Sequence, residues 1–296
     1  MALYSNINLL FIRLFTIVVP RFLHPPFAFF WGGLFYLALP GARRALRRNL
    51  RVVTGSGEVE RLVFSTFYKF GRNWCDIMLI SRLRGPALLA LIGRGTGEKH
   101  LDDALAAGKG AILISVHLGN WELGGLGLAE KGYRLNILTF HEPDEKVNRE
   151  RERLRRERGI NFIYVDRDES ALAIVEAVRA LNRNQVLVLL GDRDGASHTM
   201  LLDFFGRPTP IPLGAAHLAL VSGAPVIPVF VPLEGGRYAA IMEEPIFFRA
   251  KPGERDRVIR EGTEQLLRVF ERYIRAYPDQ WYNFFDFFAA EHSQRK

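Results

Sequence analysis

Short runs of branched aliphatic residues recur along this chain at intervals that leave room for a helix between them. Ala111–Val116 reads Ala-Ile-Leu-Ile-Ser-Val and is preceded by Ala107-Gly108-Lys109-Gly110. A near-continuous apolar run of this length, bounded by turn residues, predicts a strand buried on both faces, as in a parallel sheet. The same pattern predicts strands over Leu135–Phe140, Asn161–Tyr164, Val186–Leu190, Val226–Val231 and Tyr238–Ile241. Helical patterns fill the intervals at Trp121–Lys131, Asp144–Arg158, Glu169–Asn182 and Leu213–Ser222. Glu58–Ile92 is mostly helical, and Glu254–Tyr277 closes the chain. The stretch from Gly191 to Pro212 reads as loop. Strands alternating with helices build βαβ units, so the expected class is α/β, a mainly parallel central sheet flanked by helices. No repeat or low-complexity linker divides residues 52–296, which are expected to form one domain.

Residues 1–51 are different in kind. They hold Arg13, Arg21, Arg43, Arg44, Arg47, Arg48 and Arg51 but no lysine and no acid, so they carry most of the net charge of +8. The rest of the chain balances 33 basic against 32 acidic residues. A basic excess confined to an apolar segment argues for a membrane surface and against nucleic acid. Phe22–Leu39 is uncharged and near spanning length but is expected to be broken at Pro25-Pro26 and Gly32-Gly33, while Leu9–Val19 is shorter and interrupted by Arg13. One tilted span, a re-entrant pair and an interfacial helix all fit this pattern. The five arginines from Arg43 to Arg51 share one side of a helix, and each is worth about 1 kcal/mol against anionic headgroups. Met1–Leu10 has no basic residue, which disfavours a cleaved signal peptide. The expected organisation is therefore an N-terminal membrane-anchoring helical segment, residues 1–51, with the body on the cytoplasmic side. Cys75, the one cysteine, allows no internal disulfide and agrees with that compartment.

The chemistry concentrates at two predicted strand ends. His117-Leu118-Gly119-Asn120-Trp121-Glu122 follows the first run, at the sheet edge where α/β proteins bind ligands. Asn120 is placed to cap the helix from Trp121, and Glu122 in its first turn complements the helix dipole. As a catalytic pair, His117 takes a proton and Glu122 fixes its tautomer. As ordinary structure, they are a hydrogen-bonded turn residue and a dipole-matched acid. Asp192-Arg193-Asp194 follows the run Val186–Leu190, as a self-satisfied turn or as an orienting acid, Asp194, and an anion contact, Arg193. Phe204–Pro212, with Arg207, reads as a binding loop.

These motifs in this order, with Phe205-Gly206-Arg207-Pro208 and Gly223-Ala224-Pro225-Val226-Ile227-Pro228 downstream, resemble the late acyltransferases of bacterial lipid A synthesis, the lauroyl and myristoyl transferases. The similarity extends over nearly the whole chain. It implies a glycerolipid-acyltransferase type of α/β fold, no metal and no cofactor. The implied reaction moves a fatty acyl chain from an acyl carrier protein or coenzyme A thioester to a hydroxyl of a lipid A precursor, an anionic glycolipid, at the cytoplasmic face of a bacterial inner membrane. The partners so implied are membrane lipids, the glycolipid acceptor and acyl carrier protein. The chain lacks the Phe-Pro-Glu-Gly-Thr-Arg block usual in glycerol-phosphate acyltransferases. The resemblance makes His117 the catalytic base, Glu122 the acid of its motif and Asp194 a supporting acid. It also implies an arginine that holds the acceptor, and Arg155 and Arg158 are the choices from an arginine-rich helix whose glutamates otherwise make a solvated face. Asn120, Arg193 and Arg207 complete the expected substrate contacts.

A thioester is already activated, so the expected enzyme orients a hydroxyl, removes its proton and stabilises an oxyanion without a covalent intermediate. Cys75 and Ser115 have no recognisable partner base, and no G-x-S-x-G elbow is present. Backbone amides at Gly119 or Gly195, or an arginine, are the expected oxyanion donors. Within this reading the alternative acceptors are a phosphatidylinositol mannoside or an ornithine or other amino lipid. A metal-dependent hydrolase using His117, Glu122, His141, Glu142, Asp192 and Asp194 would require a compact ligand motif that the sequence lacks. A catalytically silent membrane-binding protein would tolerate loss of His117.

Overall fold

In a computed structural model the described residues are 19–140, 157–165, 170–193 and 198–289. Ten strands are β1 Ile92–Thr96, β2 Ala111–Ser115, β3 Leu135–Thr139, β4 Asn161–Tyr164, β5 Val186–Leu190, β6 Thr199–Phe204, β7 Arg207–Pro212, β8 Val226–Phe230, β9 Leu233–Glu234 and β10 Arg237–Met242. The described helices are α1 His24–Ala38, α2 Pro40–Thr54, α3 Glu60–Ile80, α4 Gly85–Leu89, α5 Glu98–Ala106, α6 Trp121–Glu130, α7 Ser170–Asn182, α8 Gly214–Ser222 and α9 Arg255–Ala276. The expected helix Asp144–Arg158 lies almost wholly outside the described residues.

An eight-stranded sheet runs β1-β10-β8-β2-β5-β3-β4, with β9 paired to β10. Every pair is parallel except β10 with β8 and with β9. β2 lies inside the sheet and is buried at every position, which is why it contains no polar alternation. Its side chains still alternate between faces. Ile112 and Ile114 pack with Leu181, Leu218 and Phe270 from α7, α8 and α9. Leu113 packs on the other face with Ile80, Leu101, Leu123 and Leu126 from α3, α5 and α6.

The expected break at Pro25-Pro26 is instead a helix start. Both prolines fall in the first turn of α1, where a missing N–H costs nothing and φ is already helical. Ala28 and Gly32 press α1 onto α3, while Phe22, Phe30 and Leu37 are 75%, 76% and 71% exposed. This inverts the usual pattern, with small residues inward and large apolar ones outward. α2 leaves α1 at 99°. No single described helix is long and apolar enough to cross a membrane, although this bent pair has the length and composition to do so together. The division expected after Arg51 falls inside α2, whose Leu46 and Leu50 pack with Phe67 and Phe70 of α3. Asn49 ties α2 to the C-terminal segment: Nδ2 donates to Asn283 O at 3.0 Å and Phe285 O at 2.7 Å, and Oδ1 accepts from Phe287 N at 2.9 Å.

The stretch expected to be loop contains the hairpin β6–β7. The pairs Met200–Ile211, Leu202–Thr209 and Phe204–Arg207 carry its ladder, so Pro208, Pro210 and Pro212 turn their nitrogens away from β6. Phe205 and Gly206, at φ 56° and 73°, make the two-residue turn that suits such a hairpin.

Candidate active site

Register brings the two chemical motifs together. β2 and β5 are parallel neighbours with Ser115 opposite Leu190, and Gly191 N–H donates to Ser115 O at 2.8 Å, extending the ladder past both ends. Two residues on from each member of that pair stand His117 and Asp192. Asp192 Oδ1 lies 2.6 Å from His117 Nδ1, and Oδ2 accepts from the His117 backbone N–H at 3.1 Å. Oδ2 also accepts from Trp281 Nε1 at 2.9 Å and Asn283 Nδ2 at 3.3 Å. Burial alone would push this carboxyl up. His117, the Arg193 charge and the Trp281 hydrogen bond outweigh burial and hold it well below the usual carboxylate range. Asp192 is therefore an ionised, wholly buried acceptor placed to receive the Nδ1–H of His117.

The loop carrying His117 is fixed from two sides. His117 O accepts from Tyr282 N–H at 2.8 Å, Gly119 N–H donates to Gln280 O at 3.0 Å, and Asn120 N–H donates to Val231 O at 2.8 Å. Gly119 has φ 67°, and a Cβ there would fall 2.1 Å from Val231 O, so this crossing is closed to any other residue. The ring of Trp121 meets the imidazole edge-on at 5.2 Å.

His117, Glu122 and Arg193 line a cavity of about 720 Å³. Its floor is the α3-facing side of the sheet, including Leu113, Ser115, Ile137, Thr139 and Val188. Phe70, Asn73, Trp74 and Ile77, spaced one and two helical turns apart on α3, form one wall, and Trp121, Gly125 and Leu128 of α6 form another. The lining is largely apolar, with His117, Glu122 and Arg193 grouped near the carboxyl ends of β2 and β5, as in sites for long hydrophobic ligands. A second cavity, about 370 Å³ beside α9, contains arginines already paired with glutamates: Arg272 with Glu243 and Arg94 with Glu234.

Several expected site residues take other roles. The orienting carboxylate on Nδ1 is Asp192 rather than Glu122, because strand register places Asp192 at that nitrogen. Glu122 instead sits in the first turn of α6 and lines the cavity. Asp194 lies outside the described residues, as do Arg155, Gly195, His141 and Glu142. Asn120 is fully buried, and its Oδ1 caps α6 by accepting from Leu123 N–H at 2.9 Å. Arg158 is turned toward the end of α3. Its Nη2 donates to the carbonyls of Ile80, Ser81 and Leu83 at 2.9, 3.0 and 2.9 Å, completing the C-terminal end of α3. Arg207 is exposed on β7 and does not line the cavity, because its hairpin packs by its tip: Phe205 N–H donates to Glu271 and Arg275 lies over the Phe205 ring. Arg193 does reach the mouth, held by Asn283 Oδ1 at 2.9 Å and Tyr282 O at 2.8 Å. The Gly119 amide, expected as an oxyanion donor, is bonded to Gln280 O instead.

Trp281, Tyr282 and Asn283 have no counterpart in the sequence reading. The available signal was chemical: an indole N–H and a carboxamide in an aromatic segment after an amphipathic helix bury only against a polar partner.

The family model described as bacterial lipid A biosynthesis acyltransferase matches residues 6–288. A phosphatidylinositol mannoside acyltransferase of Mycobacterium tuberculosis is 30% identical over 207 residues, which cover 69% of this chain and 65% of that protein. A phosphatidylinositol mannoside acyltransferase of Mycolicibacterium smegmatis is 27% identical over 263 residues, covering 86% of this chain and 82% of its own length.

Proposed function

The chain belongs to the bacterial lipid A biosynthesis acyltransferase family, and we propose that it transfers a fatty acyl group from an acyl carrier protein or coenzyme A thioester to a hydroxyl of an anionic membrane glycolipid. The observation that carries this reading is the His117–Asp192 pair at the mouth of an apolar cavity. The acyl chain lies in the cavity with its thioester carbonyl at the mouth. As the acceptor oxygen attacks that carbon, its proton passes to His117 Nε2, and Asp192 stabilises the imidazolium. Collapse of the tetrahedral intermediate breaks the C–S bond, and the departing sulfur recovers the proton from Nε2. A C–O bond replaces a C–S bond, and the proton moves from hydroxyl to thiol. Arg193 and Glu122 flank the reacting atoms, the arginine supplying positive charge for the oxyanion or for an acceptor phosphate. Transfer is direct. Burial pushes the Cys75 thiol up to about 12, so it is no nucleophile at neutral pH.

The relatives' names favour a phosphatidylinositol mannoside as acceptor and the family name a lipid A precursor; both are anionic glycolipids bearing sugar hydroxyls. The outward aromatic face of α1 and the arginines of α2 suit attachment at the cytoplasmic face of a bacterial inner membrane. Purified protein given acyl thioesters and each acceptor in mixed micelles, with mass spectrometry of the lipids, tests the reading. One added acyl group, absent with His117→Ala, is expected. Failure to acylate either glycolipid would overturn it.

A further inference from the structure

Helix α6 carries glycine at positions 124, 125 and 127. Glycine is the poorest helix former after proline, so each persists for a reason outside the helix itself. For two of them the reason is packing. A Cβ on Gly124 would fall 2.8 Å from Val231 Cγ2, and one on Gly127 would fall 3.2 Å from Ile92 Cδ1. Gly125 has no such neighbour: a Cβ there would meet no atom within 4 Å, and its backbone is not among the positive-φ positions. It lines the large cavity about one turn beyond Glu122. The side chain missing at 125 therefore preserves space in the cavity and nothing in the fold.

We infer that Gly125 determines which acyl chains are accepted: a long, linear chain runs against α6 at this point, and bulk at position 125 would exclude it. The inference rests on the acyl-transfer reading above and deepens it. A side chain projecting here displaces methylenes that lie beyond the helix turn, a loss felt by long donors and not by those ending short of it. Misfit of a single methylene in an apolar pocket is worth on the order of 10-fold in kcat/KM.

Full-length wild type, Gly125→Ala and Gly125→Leu are compared on a series of saturated acyl thioesters from octanoyl to stearoyl, offered on both coenzyme A and acyl carrier protein. Displacement of a fluorescent long-chain fatty acid from the protein is measured in parallel. Gly125→Ala should melt at a higher temperature than wild type, because alanine replaces glycine in a helix without a clash. Gly125→Leu should lower the long-to-short donor ratio of kcat/KM by on the order of 10-fold or more and weaken binding of the fluorescent fatty acid. A folded Gly125→Leu protein with the wild-type chain-length profile overturns the inference. If the leucine variant does not fold, an unchanged profile for Gly125→Ala overturns it instead. Wild type that turns over no thioester yet loses the bound fatty acid with leucine at 125 would defeat the acyl-transfer reading while retaining the cavity assignment.

Discussion

Trp281 Nε1 donates to Asp192 Oδ2 at 2.9 Å, so the carboxylate that orients His117 is itself oriented by a residue 89 positions away in sequence. The indole is buried, as is the acid, so water does not compete for their hydrogen bond. A buried acid that accepts from an imidazole, an indole, an amide and a backbone N–H stays in one place and one charge state. The proposed chemistry depends on that fixity.

His117→Ala should lower the rate of acyl transfer by about 10²–10⁴-fold, the range for loss of a general base. Asp192→Asn keeps the shape but removes the charge that stabilises the imidazolium, so it should lose at least about 10-fold. The double variant should be little worse than His117→Ala, since the pair acts as a unit. Initial rates on proteins with wild-type circular dichroism decide this, and fully multiplicative losses would count against the pairing.

The pH dependence of stability follows from the depressed Asp192 carboxyl. Its folded value lies below its unfolded value of about 3.9, so its contribution is fully present above that unfolded value. It is lost as pH falls through the interval down to the folded value. Asp192→Asn should therefore be less stable than wild type at neutral pH by about 1.5–3 kcal/mol, the worth of hydrogen bonds to a charged group. The gap should hold down to roughly pH 4 and narrow below it. Urea titrations at neutral and acid pH measure the gap; one that widened on acidification would contradict the assignment.

Arg158 and Arg193 should behave differently. Arg158→Ala strips three carbonyls at the end of α3 of their donor and should destabilise the fold by about 1–3 kcal/mol, leaving the Michaelis constant for the glycolipid unaltered. Arg193→Ala removes a cation from the cavity mouth and should impair acceptor use or turnover. Steady-state kinetics with the acceptor varied, beside thermal melts, separate the two outcomes.

For membrane attachment, Phe30→Ser and Leu37→Ser alter side chains that are 76% and 71% exposed and should leave the melting temperature unchanged. Combined with Arg44→Glu and Arg51→Glu, they should weaken sedimentation with anionic vesicles. Each arginine removed should cost about 1 kcal/mol, roughly 5-fold, at low salt. Undiminished sedimentation of the quadruple variant would place attachment elsewhere.

The strands legible in the sequence were those buried on both faces, because Ala111–Ser115 and Val186–Leu190 have no solvent side to interrupt their apolar run. β1, Ile92-Gly-Arg-Gly-Thr, is an edge strand with exposed positions and was invisible for the opposite reason. β6–β7 was hidden by prolines, which usually argue against a strand and here occupy only the outward-facing nitrogens. The histidine was legible because it follows a clear strand. The acid at its Nδ1 was not singled out because local spacing does not reveal register; counting the same number of residues from two paired strand ends gives Asp192. An indole and a carboxamide in an aromatic segment announce that Trp281 and Asn283 need a polar partner, but no local pattern identifies that partner as a loop so far upstream.

The hydrogen bonds of Asn49 to residues 283, 285 and 287 also bear on how the molecule is made. During synthesis β2 and β5 leave the ribosome and can pair long before residues 281–287 exist. A partly made chain can thus hold His117 near Asp192 yet lack the indole and amide that fix the acid, and α2 has no tail to grip. The proposed chemistry therefore waits for residues 281–287, and a product released before them would lack the groups that fix Asp192.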